Sequence, residues 1–208
     1  MRMIRLLPVA QSRTIAQPAQ PAELVKAAEA GDASGVRQLL EAGANPNLPR
    51  TFTALEAAAG AFPAVVREML KFHANVNARD SAGRTPLHLV GKSAVGDSRE
   101  NPAEVARLLI ASGADVNARD NIHGNTLLHE TPDAATAKVL IAAGAQLNLR
   151  NKDGQTPLML TLDPEVTRLL VQAGAGLTIL DNNGKTALDL AKELELTEKI
   201  AVLRSGKK

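Results

Sequence analysis

The chain has 208 residues, 45% of them hydrophobic, yet no Cys, Trp or Tyr and only three Phe, so its apolar side chains are almost all aliphatic. That composition excludes a disulfide framework, a thiolate-held zinc or iron–sulfur site, a thiol nucleophile and an aromatic platform for stacking bases, and no apolar run reaches the ~18 residues of a membrane span. The net charge of +2 sits at the ends: residues 1–21 carry three Arg and no acid, residues 192–208 five bases and three acids, and between them 16 bases face 19 acids, which leaves no basic stripe for nucleic acid.

Met1 to Pro21 is acid-free, with three Pro and three Gln, and its apolar stretch Leu6-Leu7-Pro8-Val9-Ala10 is too short and Pro-broken for a secretory signal. It reads as a flexible basic tail, as the remnant of a trimmed leader, or as an Arg-bearing transit segment. The first reading favours the cytoplasm; the second allows an exported or periplasmic protein.

Beyond it the chain repeats. Gly43-Ala44-Asn45-Pro46-Asn47 recurs as His73-Ala74-Asn75-Val76-Asn77, Gly113-Ala114-Asp115-Val116-Asn117, Gly144-Ala145-Gln146-Leu147-Asn148 and Gly174-Ala175-Gly176-Leu177-Thr178, with starts 30, 40, 31 and 30 residues apart. A second string keeps phase with it: Thr53-Ala54-Leu55-Glu56, Thr85-Pro86-Leu87-His88, Thr126-Leu127-Leu128-His129, Thr156-Pro157-Leu158-Met159 and Thr186-Ala187-Leu188-Asp189. Thr can cap a helix, and Pro fits a first helical turn because the N–H it lacks would be unpaired there, so a short helix follows each Thr. A second helix opens at Asn101-Pro102, Thr131-Pro132 or Asp163-Pro164, carries apolar runs such as Val105 to Ile110, and ends at the Gly of the first string, where a left-handed residue is favoured. Ser81-Ala82-Gly83, Lys152-Asp153-Gly154 and Asn182-Asn183-Gly184 are turns between units.

Two interleaved markers at one period resemble the ankyrin repeat, with its ~33-residue period. The resemblance covers about residues 22–204 and implies an all-α solenoid. It has about six helix-turn-helix units, at 22–50, 51–79, 80–119, 120–150, 151–180 and 181–204, joined by short β-hairpins or turns and followed by a frayed end at 205–208. Glu23 to Asp32 resembles an amino-terminal cap. Thr85 to Gly113 spans 28 residues, whereas Thr126 to Gly144 and Thr156 to Gly174 span 18. One unit therefore carries an insertion, at 93–101 between its helices, and the first helix of the next two is expected to keep barely one turn.

His88 and His129 could suggest a metal or a general base, but a third and fourth ligand are missing. The resemblance instead implies a structural set, Thr85, Pro86, His88, Thr126, His129, Thr156 and Pro157, in which each His joins neighbouring repeats. No nucleophile–base–oxyanion constellation, phosphate loop or His-Glu-x-x-His is present, so no catalytic residue, metal or cofactor is assigned and the chain is read as non-enzymatic. The resemblance implies a monomer that binds a protein partner on its concave face through hairpin tips and inner helices, with no role for nucleic acid or membrane. Mapped residue by residue, the contact set is Phe52, Arg84, Ile122, His123, Lys152, Gln155, Asn182 and Lys185. Phe52 and Ile122 would be apolar anchors, and Arg84, Lys152 and Lys185 a weakly basic ridge for an acidic partner or simply solvated charges. The alternative is a regulatory or inhibitory subunit, or an exported effector, that binds through the inserted loop 93–101. Before Thr53, Pro49-Arg50-Thr51-Phe52 lacks the Gly of the other turns and reads as a shortened hairpin, and Phe52, Phe62 and Phe72 all fall in that unit, as packing repairs for it or as part of the binding surface.

Overall fold

The computed structural model describes residues 21–47, 54–59, 62–92, 101–131 and 133–206. Phe52 and residues 93–100 of the insertion lie outside them. The described chain forms two columns of short helices. The first holds α1 (Pro21–Glu29), α3 (Ala54–Ala59), single 3-10 turns at Pro86–Leu89 and Leu127–Glu130, α7 (Pro157–Leu160) and α9 (Ala187–Glu193). The second holds α2 (Ala33–Glu41), α4 (Pro63–Lys71), α5 (Pro102–Ala111), α6 (Ala134–Ala142), α8 (Pro164–Gln172) and α10 (Thr197–Ser205). Within each column every member packs on the next in chain order, and the two columns enclose one aliphatic core. Leu55, Leu87, Leu128 and Leu158 fill it from the first column, and Val66, Val105, Leu109, Leu140, Val166 and Leu170 from the second. No single unit could bury its apolar face alone, so stacking closes the core.

The caps explain where the second helices begin. Asn101, Asp133 and Asp163 accept the N–H of Glu104, Thr136 and Glu165 at 3.0, 2.6 and 2.7 Å. The chain leaves the first helices early for two reasons. Thr131 is extended because the Pro after it disfavours the helical region. In the unit before it the first helix is also a single turn: Val90 is extended and Gly91 has φ +76. No strand forms among the described residues; the connections are turns rather than hairpins.

Two aromatic positions belong to packing. Phe62 is buried, its ring 3.1 Å from where a Cβ on Gly31 would sit, in the turn between α1 and α2, and Phe72 is half-buried against the core.

Candidate partner-binding surface

The turns between units stand in a row, each built around one side chain. Asp80 Oδ1 accepts the N–H of Ala82 and Arg84 at 2.9 and 2.8 Å. Asp120 Oδ1 accepts those of Ile122 and His123, both at 2.7 Å, and its Oδ2 that of Asn125 at 2.9 Å. Asn151 accepts from Asp153 and Gln155 at 3.0 and 2.9 Å, and Asp181 from Asn183 and Lys185 at 2.8 and 2.9 Å. Burial acts to raise the Asp120 carboxyl, but the converging backbone donors outweigh it and hold the group below its ordinary pKa.

Neighbouring turns are then tied to each other. The amides of Asn121, Lys152 and Asn182 donate to the carbonyls of Ala82, His123 and Asp153 at 2.8, 2.8 and 3.0 Å. Beneath them, Arg79 donates to the carbonyls of Gly83 and Arg119 at 2.9 and 3.0 Å. Arg119 likewise bridges the carbonyls of Gly124 and Arg150, and Arg150 bridges the Gly154 carbonyl and the Asn182 side chain. Gly154 shows why these turns carry glycine: its φ is +77, and a Cβ there would lie 2.8 Å from the Asn182 amide nitrogen.

The histidines lock the layer behind. Thr85 N–H donates to His88 Nδ1 at 3.0 Å, with the Thr85 hydroxyl 2.9 Å from the same nitrogen, while His88 Nε2 lies 3.2 Å from the Asn125 carbonyl oxygen. A carbonyl only accepts, so Nε2 carries the proton and Nδ1 accepts. His129 repeats this with Thr126 on one side and the carbonyls of Leu149 and Gln155 on the other, at 3.1 and 3.3 Å. Burial lowers the pKa of both rings below the ordinary His value, which keeps them neutral. Thr156 and Met159 occupy the same places one unit on, where the Thr156 amide meets only the Met159 sulfur, at 3.4 Å. Pro86 and Pro157 are buried at the starts of their helical turns. Among the described residues no cluster of three His, Asp or Glu is arranged to hold a metal ion.

The structure separates the proposed contact residues. Ile122 is 56% exposed at the centre of its turn, with His123 exposed beside it. The three cations do not form a free ridge. Arg84 is paired with Asp80 at 2.7 Å, Lys185 with Glu193 at 2.7 Å, and Lys152 donates to the Asn121 carbonyl. Each is held within the protein: Asp80 lies in the same turn as Arg84, Asn121 in the turn before Lys152, and Glu193 at the end of α9. Gln155 is half-buried, its carbonyl facing His129, and Asn182 bridges Arg150 and the Lys152 carbonyl at 3.2 and 2.9 Å. Not foreseen from sequence is a polar pair beside the 3-10 turns: Lys92 donates to Glu130, whose other oxygen accepts from Asn125 at 2.7 Å. Leu162 and Leu194, in the connections between first and second helices, are 64% and 60% exposed, and no periodic signal marked them.

Residues 24–120 match the family model for ankyrin repeats in three copies. That span of the chain is built of ankyrin repeats. The chain is 33% identical to a putative ankyrin repeat protein of fowlpox virus over 45% of this chain and 27% of that protein, and 37% identical to the Neurogenic locus Notch protein of Drosophila melanogaster over 46% of this chain and 3% of that one. The chain thus spans about a quarter or less of these relatives. Among solved structures, a chain of the complex between the predatory endopeptidase Bd0816 of Bdellovibrio bacteriovorus and the immunity protein Bd3460 aligns with TM-score 0.74 and 27% identity, over 88% of this chain and 97% of that one. The ankyrin repeat protein EF0377 aligns with TM-score 0.72 at 20% identity, over 89% and 98%, a likeness of fold alone. Ankyrin repeats are protein–protein interaction modules, generally without enzymatic activity.

Proposed function

We propose that this ankyrin stack holds a protein partner on the side formed by its turns and first helices, with Ile122 as the apolar anchor. One observation carries this reading: an exposed Ile sits on a turn whose backbone is fixed by Asp120 and by both neighbouring turns. Nothing in the fold requires a branched apolar side chain there, and a rigid frame lowers the entropy lost when a partner closes over it. His123, exposed beside it, supplies a polar rim. Affinity capture with the parent protein followed by titration of the recovered partner against Ile122→Asp tests this. Binding should weaken at least about tenfold with an unchanged melting temperature; retained binding rejects the surface. Loss on deletion of residues 94–99, with Ile122→Asp silent, would move the site to the insertion.

The likeness to one chain of an enzyme–immunity complex favours a second reading, in which the partner is an enzyme that the stack holds inactive. That reading predicts that the recovered partner loses activity in proportion to the protein added. A partner with no activity to lose, or with activity unchanged in the complex, rejects it.

A further inference from the structure

The second helices carry a register that the turn side does not explain. Arg37, Arg67, Arg107, Lys138 and Arg168 each stand six residues before the Gly, or His73, that follows their helix, so one cation per unit lines the outer column. Two of these cations reach across to a carboxylate on the next helix: Arg37 to Glu68 at 3.2 Å, and Arg67 to Glu104 at 2.6 Å. That stitching stops between α5 and α6. The residue of α6 equivalent to Glu104 is Ala135, so Arg107 turns back to Glu104 of its own helix at 2.8 Å, and Lys138 has no ion-pair partner among the described residues.

A groove of about 520 Å³ opens at this place, walled by the half-buried Ile110 and Val139, floored and rimmed by small residues including Ala111 and Ala142, with Arg107 and Lys138 exposed along it. Small side chains leave the room, and, with Arg107 already held by Glu104, the unpaired Lys138 leaves an excess of positive charge along its edge. The chain's own amino-terminal segment does not match, because residues 1–21 hold three Arg and no acid. Nucleic acid does not match either: the walls are aliphatic and offer nothing to a sugar–phosphate backbone beyond the two cations.

We propose that the α5–α6 groove is a second docking surface, formed by the second helices and not by the turns, for an acidic protein segment that inserts one aliphatic or aromatic side chain between Ile110 and Val139 and sets carboxylates on Arg107 and Lys138. Charge complementarity selects the occupant, and the groove supplies the desolvated pocket in which an anchor contributes most. The surface does not depend on Ile122, so the two sites can serve different partners.

The test uses the whole chain and a short fluorescein-labelled peptide with a central Leu-Phe pair flanked by glutamates, read by fluorescence anisotropy. The peptide should bind saturably and more weakly as salt rises. Lys138→Glu, and separately Ala142→Trp to fill the groove, should each weaken binding about tenfold. Ile122→Asp should leave it unchanged, and thermal unfolding of each variant confirms that the fold persists. The proposal is overturned by no saturable binding to the parent, by equal binding of a peptide with lysines in place of the glutamates, by undiminished binding to folded Lys138→Glu, or by loss of binding in Ile122→Asp. It is also overturned if phosphatidylserine vesicles or a DNA duplex bind while the peptide does not.

Discussion

The ammonium of Lys199 on α10 donates to the main-chain carbonyl of Thr161 at 2.6 Å and to that of Met159 at 3.0 Å, tying the last helix to the end of α7. The side chain is buried at 2% exposure, and burial pushes its pKa down to about 8. The ordinary value, reached in the unfolded chain, is about 10.4. Below pH 8 both states hold the proton, and stability is flat. Between about 8 and 10.4 only the unfolded state binds it, so stability rises with pH, by about 1.4 kcal/mol per pH unit at most. The chain has no Cys or Tyr to titrate in that window. Urea midpoints from pH 7.5 to 10 should therefore rise in the parent and stay nearly level in Lys199→Met, even if that variant is less stable throughout for want of a donor to the two carbonyls.

The two clasped histidines give the opposite end of the profile. His88 and His129 are neutral in the fold with pKa values lowered by burial, whereas the unfolded chain titrates near 6.5. Stability is fully present above that pH and is lost as pH falls from 6.5 toward the folded values, because only the unfolded state accepts protons there. Replacing His129 by Ala should cost about 2–4 kcal/mol, since it empties a buried volume and strands the Thr126 amide. The His88→Gln, His129→Gln double variant should lose most of the acid slope. A slope that survives in it would assign acid sensitivity to the carboxylates instead.

Exposed clasps should matter less. Asn77 donates to the Gly113 carbonyl at 2.9 Å and accepts the Asp115 amide at 3.0 Å, and Asn117 and Asn148 accept the amides of Gln146 and Gly176 in the units after them. Water can replace these bonds, so Asn77→Ala should cost about 1 kcal/mol, well under His129→Ala. Hydrogen exchange at the Asp115 amide should quicken in Asn77→Ala while the amide of Thr126 keeps its protection.

The fold was legible because its marker residues each do a local job that repeats: the Thr-to-His clasp, the helix-ending Gly, the Asn that reaches into the next unit. What could not be read depends on which side chain faces which across a gap. Arg84 and Lys185 look free in the sequence, yet Asp80 sits within its own turn and Glu193 is brought back by α9. The single-turn helix at Pro86–Leu89 follows from Gly91 adopting φ +76, a choice the letter Gly permits but does not dictate. The α5–α6 groove is written in Ala135 standing where a carboxylate would bridge, which has meaning only once α6 is known to lie beside α5.

His73 allows a sharper test of one such local rule. It closes α4 at the place where Gly43, Gly113, Gly144 and Gly174 close theirs, and it adopts φ +60. A left-handed L-residue costs about 1–2 kcal/mol, against about 0.4–1 kcal/mol of unfolded-chain entropy that glycine would add. The difference favours His73→Gly by up to about 1.6 kcal/mol. The bond from the Asn47 side chain to the residue 73 carbonyl, 2.9 Å, is kept because it uses only backbone at that position. Gly113→His supplies the reverse: a Cβ there meets nothing within 4 Å, so any loss comes from the backbone at φ +91. Chemical unfolding should show His73→Gly raising the midpoint and Gly113→His lowering it. If both lower it, the His73 ring contributes packing that outweighs its strain.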